Sequence, residues 1–356
     1  MNFNITVQPA GVQFEVARDE AILPAAIRAG IGLPYGCRDG ACGSCKSRLL
    51  EGRVIHGAHQ AKALSAAEEE AGLILTCCAA PQTDCVIEAR VAAAGALPVV
   101  KIPVRVTSIA KPAADVAIVQ LQLPANSAFR YRAGQYIEFI LRDGARRAYS
   151  IANAPVEAIA VPSAEAGATT AAPASPAIEL HIRHMPGGKF TDHVFGAMKE
   201  REILRAEGPF GSFYLRGDSS KPMVLLASGT GFAPIKAIIE TLRASGATRP
   251  ATLYWGCRTP ADLYLHDWAL QAAAELPWLR YIPVLSEARP EHGWHGRTGF
   301  VHHAVMADLP DLSGHQVYAC GVPVMVDSAQ RDLVERAALP AEEFYADAFT
   351  SEADKH

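Results

Sequence analysis

The chain has 356 residues and a formal charge of -4, with a pI near 6.3. That length exceeds one ordinary core and predicts two or three domains, while the mild negative charge argues against nucleic acid as a partner. No run of eighteen or more apolar residues occurs, so membrane insertion is not expected.

The start, "MNFNITVQPAGVQFEVA", places Phe3, Ile5 and Val7, then Val12, Phe14 and Val16, in alternation around a "PAG" turn. This predicts a hairpin rather than a signal peptide. With eight cysteines and no export signal, the chain is expected in the reducing cytoplasm, where clustered thiols more often bind metal than form disulfides. "DEAILPAAIRAG" predicts a short helix capped by Asp19 and stopped by Gly30, and "SAAEEE" predicts a capping box between Ser65 and Glu68. "DCVIEARV" predicts a strand that closes a first domain over residues 1–95.

From 102 to 217 the signals are short strands with turn residues between them, such as "DVAIVQLQL", "QYIEFIL" and "IELHIRH", predicting an antiparallel β-barrel. An Ala, Pro and Ser run over 155–177 predicts a flexible surface insertion. From 221 to 356 apolar strands ("PMVLLAS", "ATLYWG", "QVYACG") alternate with helical stretches, which predicts a doubly wound parallel sheet. The fold class is therefore multidomain, α+β followed by α/β.

The loop "CRDGACGSC" spaces Cys37, Cys42 and Cys45 as C-x4-C-x2-C among glycines. Followed by a remote fourth cysteine, this is the plant-type 2Fe-2S pattern, distinct from the paired C-x2-C units of zinc ribbons. The fourth ligand is Cys77 or Cys78, in "LILTCCA". On an extended backbone the two would point to opposite sides, so that one faces the cluster and the other packs elsewhere. Cys85, inside a predicted strand, reads as a buried core thiol. The "LTC" ending at Cys77 is similar to the segment carrying the last ligand in plant-type ferredoxins, and Cys77 is expected to be the ligand.

The order of the three parts resembles the ferredoxin-fused members of the ferredoxin-NADP reductase superfamily, over essentially the whole chain. The resemblance implies a β-grasp fold for the first domain and an FAD site on the barrel. It rests on an R-x-Y-S motif at Arg147, Ala148, Tyr149 and Ser150 and on "HIRHMPGGKFTDHVF". By that resemblance Arg147 pairs with the flavin pyrophosphate, Tyr149 packs on the isoalloxazine, and the Ser150 hydroxyl reaches the nitrogen that receives hydride. Further flavin contacts are implied for His181, Ile182, Arg183 and Lys189. The resemblance also places Gly187, Gly188 and Thr191 at a helix N-terminus facing phosphate. "GPFGSF" matches the family's barrel-closing turn and reads as structural.

"LLASGTGFAPIKA" runs an apolar strand into Gly229, Thr230 and Gly231, with Pro234 in the following helix turn. Glycines let backbone amides approach a pyrophosphate, and Pro234 standing where a dinucleotide fingerprint has its last glycine is a departure the superfamily shares. The resemblance puts Cys320 and Gly321 beside the nicotinamide, Phe349 over the flavin and Asp347 near the nicotinamide. Arg258 follows the second strand of this sheet, where a 2'-phosphate would bind, yet the next charged residue is Asp262. The sequence thus predicts NADH. The histidines of "HGAHQ", "HIRH" and "VHHAV" lack metal-site spacing.

A nicotinamide, a flavin and a 2Fe-2S cluster together imply conversion of a hydride donor into single electrons for a partner protein. The segments "PYGCRDGACGSCK" and "ASGTGFAPIKAIIE" are similar to the CDP-6-deoxy-Δ3,4-glucoseen reductase family, which supplies electrons to a pyridoxamine-phosphate dehydratase of deoxysugars. The same layout occurs in reductases of aromatic-ring and hydrocarbon oxygenases, the alternative acceptors. A redox sensor or carrier without turnover is the third reading.

Overall fold

The computed structural model of the chain describes residues 2–91, 97–155 and 177–350, so the insertion expected at 155–177 lies almost wholly outside the described residues. By packing, the chain forms two units. One comprises Met1–Pro98, Gly211–Phe213 and Ala346–His356, the other Val99–Phe210 and Tyr214–Tyr345.

The first unit is built on a five-stranded sheet in the order Val12–Ala17, Asn2–Gln8, Cys85–Glu88, Lys46–Glu51, Leu73–Leu75. The hairpin forms as expected, with Ile5 opposite Phe14 and Val7 opposite Val12. Asn2–Gln8 also runs parallel to Cys85–Glu88, giving a mixed sheet. Ile5, Val7, Phe14 and Val16 are buried, as their period of two requires, and Cys85 is a buried thiol in its strand. The helix spans Ile22–Arg28 and packs Ile22, Leu23, Ala25 and Ala26 inward. Its cap is Ala21 without a side-chain bond, not Asp19. The first inward-facing residue, Ile22, sets the start of the helix, and Asp19 falls in the preceding turn. The stop is as expected: Gly30 takes φ +74°, with Gly30 N–H donating to Ile27 O and Ile31 N–H to Ala26 O. The capping box also forms, Ser65 N–H donating to Glu68 Oε2 at 2.9 Å.

In the second unit six antiparallel strands run Arg146–Ser150, Tyr136–Ile140, Ile203–Phe210, Val100–Ala113, Val116–Gln122, Ala177–Arg183. A bridge between Ile151 and Leu180 joins the two end strands and closes the barrel. Alternate residues fill it, among them Val104, Val106, Val119, Leu121, Ile137, Phe139, Leu180 and Ile182. "GPFGSF" spans the end of the Ile203–Phe210 strand and the turn after it.

A further sheet runs in the order Arg297–Thr298, Leu279–Leu285, Ala251–Cys257, Met223–Ser228, Gln316–Gly321, Phe344–Ala348, its first five strands within the second unit. Met223–Ser228 pairs in parallel with Ala251–Cys257 on one side and Gln316–Gly321 on the other. Its residues Met223 to Ala227 are all buried, because helices cover both faces. The strand order reverses beside it, and that switch point is where open α/β sheets collect ligands.

Candidate functional site

Three cradles can be built from the residues upward. In the first unit, positive φ at Arg38 (67°), Gly40 (78°) and Gly43 (76°) coils the cysteine loop on itself. Cys42 Sγ lies 3.4 Å from Cys37 N and 3.4 Å from Ser44 Oγ, and a Cβ at Gly36 would stand 3.2 Å from it. Cys45 Sγ and Cys77 Sγ are 3.2 Å apart. Cys37 thus stands beside Cys42 and Cys45 beside Cys77, an arrangement that could hold a binuclear cluster. A hydrogen bond from the Cys37 thiol holds Cys42 down at about 6, while Cys37 itself is pushed up. The thiols are bunched without a disulfide, and this donor set fits 2Fe-2S.

The backbone at Cys77 and Cys78 is not extended. Cys78 N–H donates to Leu75 O at 2.9 Å, making Leu75–Cys78 a β-turn. The turn brings the two sulfurs to 3.4 Å on one side. Alternation of side chains thus no longer separates the two cysteines.

On the barrel, Arg147 and Tyr149 are half-buried on the Arg146–Ser150 strand, Ala148 is exposed and Ser150 is buried. The Tyr149 ring packs against Phe139 and Phe190, at centroid distances of 5.9 and 5.3 Å, and burial raises its hydroxyl pKa. The helix Lys189–Gly196 begins at Gly188, as expected. The Thr191 hydroxyl is turned inward, donating to Met185 O at 2.8 Å. Asp192 accepts from Gly187 N–H at 3.0 Å, and Lys189 pairs with Asp143. Ile182 is a core residue. Arg183 pairs with Asp115 at 2.9 Å, and a Cβ on Gly229 would stand 3.4 Å from its guanidinium. The R-x-Y-S strand fits a flavin held at one barrel rim, whereas in the Gly187–Gly188 turn the Gly187 N–H, the Gly188 N–H and the Thr191 hydroxyl are engaged within the turn.

At the nucleotide sheet the strand ends meet backbone to backbone. A Cβ on Gly231 would lie 2.1 Å from Cys320 O, and one on Gly321 2.1 Å from Ser228 Oγ. Val322 N–H donates to Ser228 Oγ at 3.0 Å. Gly229, Thr230 and Gly231 form a single 3-10 turn that leads into the helix Phe232–Ala244, with Pro234 in its first turn. This cradle fits a dinucleotide, which needs backbone amides without side chains in front of them. Cys320 is fully buried in its strand. Asp347 is buried in the last strand, and Phe349, just after it, is half-buried. Arg258 is exposed, 3.9 Å from Asp262 Oδ1, and Asp262 Oδ2 accepts from Thr259 N–H at 2.9 Å.

A group with no local signature joins barrel to nucleotide sheet. Lys236 is buried, with Nζ 3.0 Å from Glu179 Oε1, paired also with Glu240, and 3.4 Å from Ala152 O. His181 donates from Nε2 to Glu179 Oε1 at 2.8 Å and accepts at Nδ1 from Tyr264 Oη at 2.7 Å. Burial lowers the His181 pKa, against the neighbouring Glu179 carboxylate. Burial opposes charge on Glu179 too, but the His181 hydrogen bond and the Lys236 ammonium overcome it and hold the carboxyl at about 2. With both ring nitrogens engaged, the His181 side chain braces this interface and has no ring nitrogen left for flavin.

Among the described residues no helix is long and apolar enough to cross a membrane. The family model for the 2Fe-2S iron-sulfur cluster binding domain matches residues 5–82, and that for the oxidoreductase NAD-binding domain residues 225–331. The chain is 38% identical to CDP-6-deoxy-L-threo-D-glycero-4-hexulose-3-dehydrase reductase of Yersinia pseudotuberculosis, over 98% of this chain and 99% of that one. It is 34% identical to the phenol hydroxylase P5 protein of Acinetobacter pittii, over 99% of this chain and 96% of that one. Its structure is similar to that of the Amycolatopsis cytochrome P450 reductase GcoB, with a TM-score of 0.75 at 32% identity, covering 98% and 99% of the two chains. A thiol loop for 2Fe-2S, a barrel rim for FAD and a glycine-edged sheet for NADH, matched along the whole length of such relatives, make this chain a ferredoxin-fused member of the ferredoxin-NADP reductase superfamily, an electron-transfer reductase.

Proposed function

We propose that the chain delivers electrons from NADH to a pyridoxamine-phosphate-dependent deoxysugar dehydratase in the cytoplasm. The observation that carries this reading is the 38% identity, end to end, with a reductase named for a hexulose dehydrase. The cytoplasmic setting is supported by eight cysteines, none of them in a disulfide. When bound, the nicotinamide supplies a hydride, the flavin divides its two electrons, and the cluster hands them on one at a time. The protein's part is placement. Cys37, Cys42, Cys45 and Cys77 hold the cluster, Arg147, Tyr149 and Ser150 the flavin, and the Gly229–Gly231 turn with Cys320–Gly321 the nicotinamide nucleotide.

The phenol hydroxylase and cytochrome P450 relatives favour an oxygenase as the second reading. Mixing the NADH-reduced protein with a purified dehydratase of this class, and separately with an oxygenase component, decides between them. Product formation with the dehydratase at least about tenfold faster than product formation with the oxygenase is expected. The reverse order would transfer the assignment to oxygenases.

NADH is expected to be used at least about tenfold more efficiently than NADPH, about 1.4 kcal/mol in transition-state binding. The carboxylate of Asp262, 3.9 Å from Arg258, opposes a 2'-phosphate at that guanidinium. Steady-state kinetics with both cofactors on wild type and Arg258→Ala test this. Equal use of the two would overturn the NADH preference, and an Arg258→Ala loss confined to NADPH would show that Arg258 is a phosphate ligand.

A further inference from the structure

The cysteine site holds five sulfurs where a plant-type cluster uses four. Cys78 Sγ lies 3.4 Å from Cys77 Sγ, and Cys77 Sγ lies 3.2 Å from Cys45 Sγ. Cys78 also touches the ligand loop itself. A Cβ on Gly40, between Cys37 and Cys42, would stand 2.8 Å from Cys78 Sγ, and the φ of +78° at Gly40 keeps that position free of a side chain. The backbone around Cys78 is fixed at both ends, by Cys78 N–H donating to Leu75 O and by Gly57 N–H donating to Cys78 O, each at 2.9 Å. The thiol is therefore presented to the site by a turn closed with main-chain bonds, and is not a loose surface cysteine.

We propose that Cys77 and Cys78 are interchangeable ligands, so that either one can complete the cluster. The inference rests on the reading that Cys37, Cys42 and Cys45 hold a 2Fe-2S group. Exchange moves no electron: the Cys78 thiol releases its proton and bonds to iron as the bond from Cys77 breaks and Cys77 takes up a proton. The turn makes this possible. On an extended backbone the second sulfur would face away, whereas here the two sulfurs already lie 3.4 Å apart.

The test uses the full chain as Cys77→Ala, as Cys78→Ala and with both changes, read by iron and inorganic sulfide content and by visible circular dichroism. Alanine is chosen because a serine oxygen could itself bind iron. Each single variant is expected to keep at least about half of the wild-type iron, with different dichroism because the fourth sulfur approaches from a different side, and the double variant to lose it. Flavin content and far-ultraviolet dichroism report whether the variants still fold. If either single variant is as empty of iron as the double one while still folded, interchangeability is wrong and the emptied position is the sole ligand. Wild-type protein that binds no 2Fe-2S at all would instead overturn the underlying reading.

Discussion

Replacing Gly231 with alanine is expected to lower NADH-driven flavin reduction by about 100-fold while iron and flavin contents stay at wild-type levels. The reason is a contact between main chains. The new Cβ would meet Cys320 O at 2.1 Å, Cys320 C at 2.5 Å and Gly321 Cα at 2.7 Å. None of these is the end of a flexible side chain, so the strand ends must separate or the 3-10 turn must rotate. Either response costs stability, about 1–3 kcal/mol for overpacking of this kind. It also displaces the Gly229–Gly231 turn from Cys320–Gly321, the two elements proposed above to frame the nicotinamide. A misplacement of about 1 Å in a reacting geometry lowers a rate by about 100-fold. Gly217→Ala is the control, since a Cβ there meets nothing within 4 Å and φ is ordinary. Stopped-flow flavin reduction within twofold of wild type for Gly231→Ala would show that the two strand ends can part without disturbing the nucleotide.

What could be read beforehand follows from how far apart the partners stand in the chain. The hairpin, the capping box and the barrel strands rest on patterns within a few residues, and the structure has them where the patterns place them. The glycines of "GTG" and "ACG" could be read for the same reason, because a backbone approach leaves its mark as a missing side chain. The errors were local too. Asp19 is a good cap by composition, but the inward face of the helix begins at Ile22 and fixes the start later. At "TCCA" the sequence left open whether the backbone is extended, and the turn shows only in the bond from Cys78 to Leu75. His181 lies in a barrel strand next to a flavin motif, and its partner Tyr264 is 83 residues away. No spacing rule reaches that far. The pair Lys236 and Glu240 does carry an i, i+4 signal, but that pattern is ordinary on an exposed helix face. Only the fold reveals that Lys236 is buried.

Lys236→Met is expected to destabilise the second unit by about 3–5 kcal/mol at neutral pH, the range for removing one member of a buried charge group. The lysine side chain is 7% exposed and Glu179 14%, so solvent cannot replace the lost ammonium. The deficit should shrink on acidification. In the wild type Glu179 is held at about 2, below its unfolded value, so its ionisation stabilises the fold above the ordinary carboxylate range and is lost only as pH falls toward 2. Without Lys236, burial acts on Glu179 against the hydrogen bonds from His181 and Gln120 Nε2 but no longer against an ammonium, and its carboxyl rises and takes a proton sooner. Protonation removes the unpaired charge, so variant and wild type converge below neutral pH. Urea denaturation at pH 7 and pH 5, followed by tryptophan fluorescence, measures both gaps, and Lys236→Met combined with Glu179→Gln should recover part of the loss at pH 7. A gap that does not change with pH would mean that lost packing around Trp268, whose ring lies 5.3 Å from Nζ, is responsible instead. The network ties Ala152 and Ala154, just after the R-x-Y-S strand, to the helix that follows the GTG turn. Its loss should therefore also slow hydride transfer from bound NADH more than it weakens NADH binding, a fall in kcat with KM within about threefold.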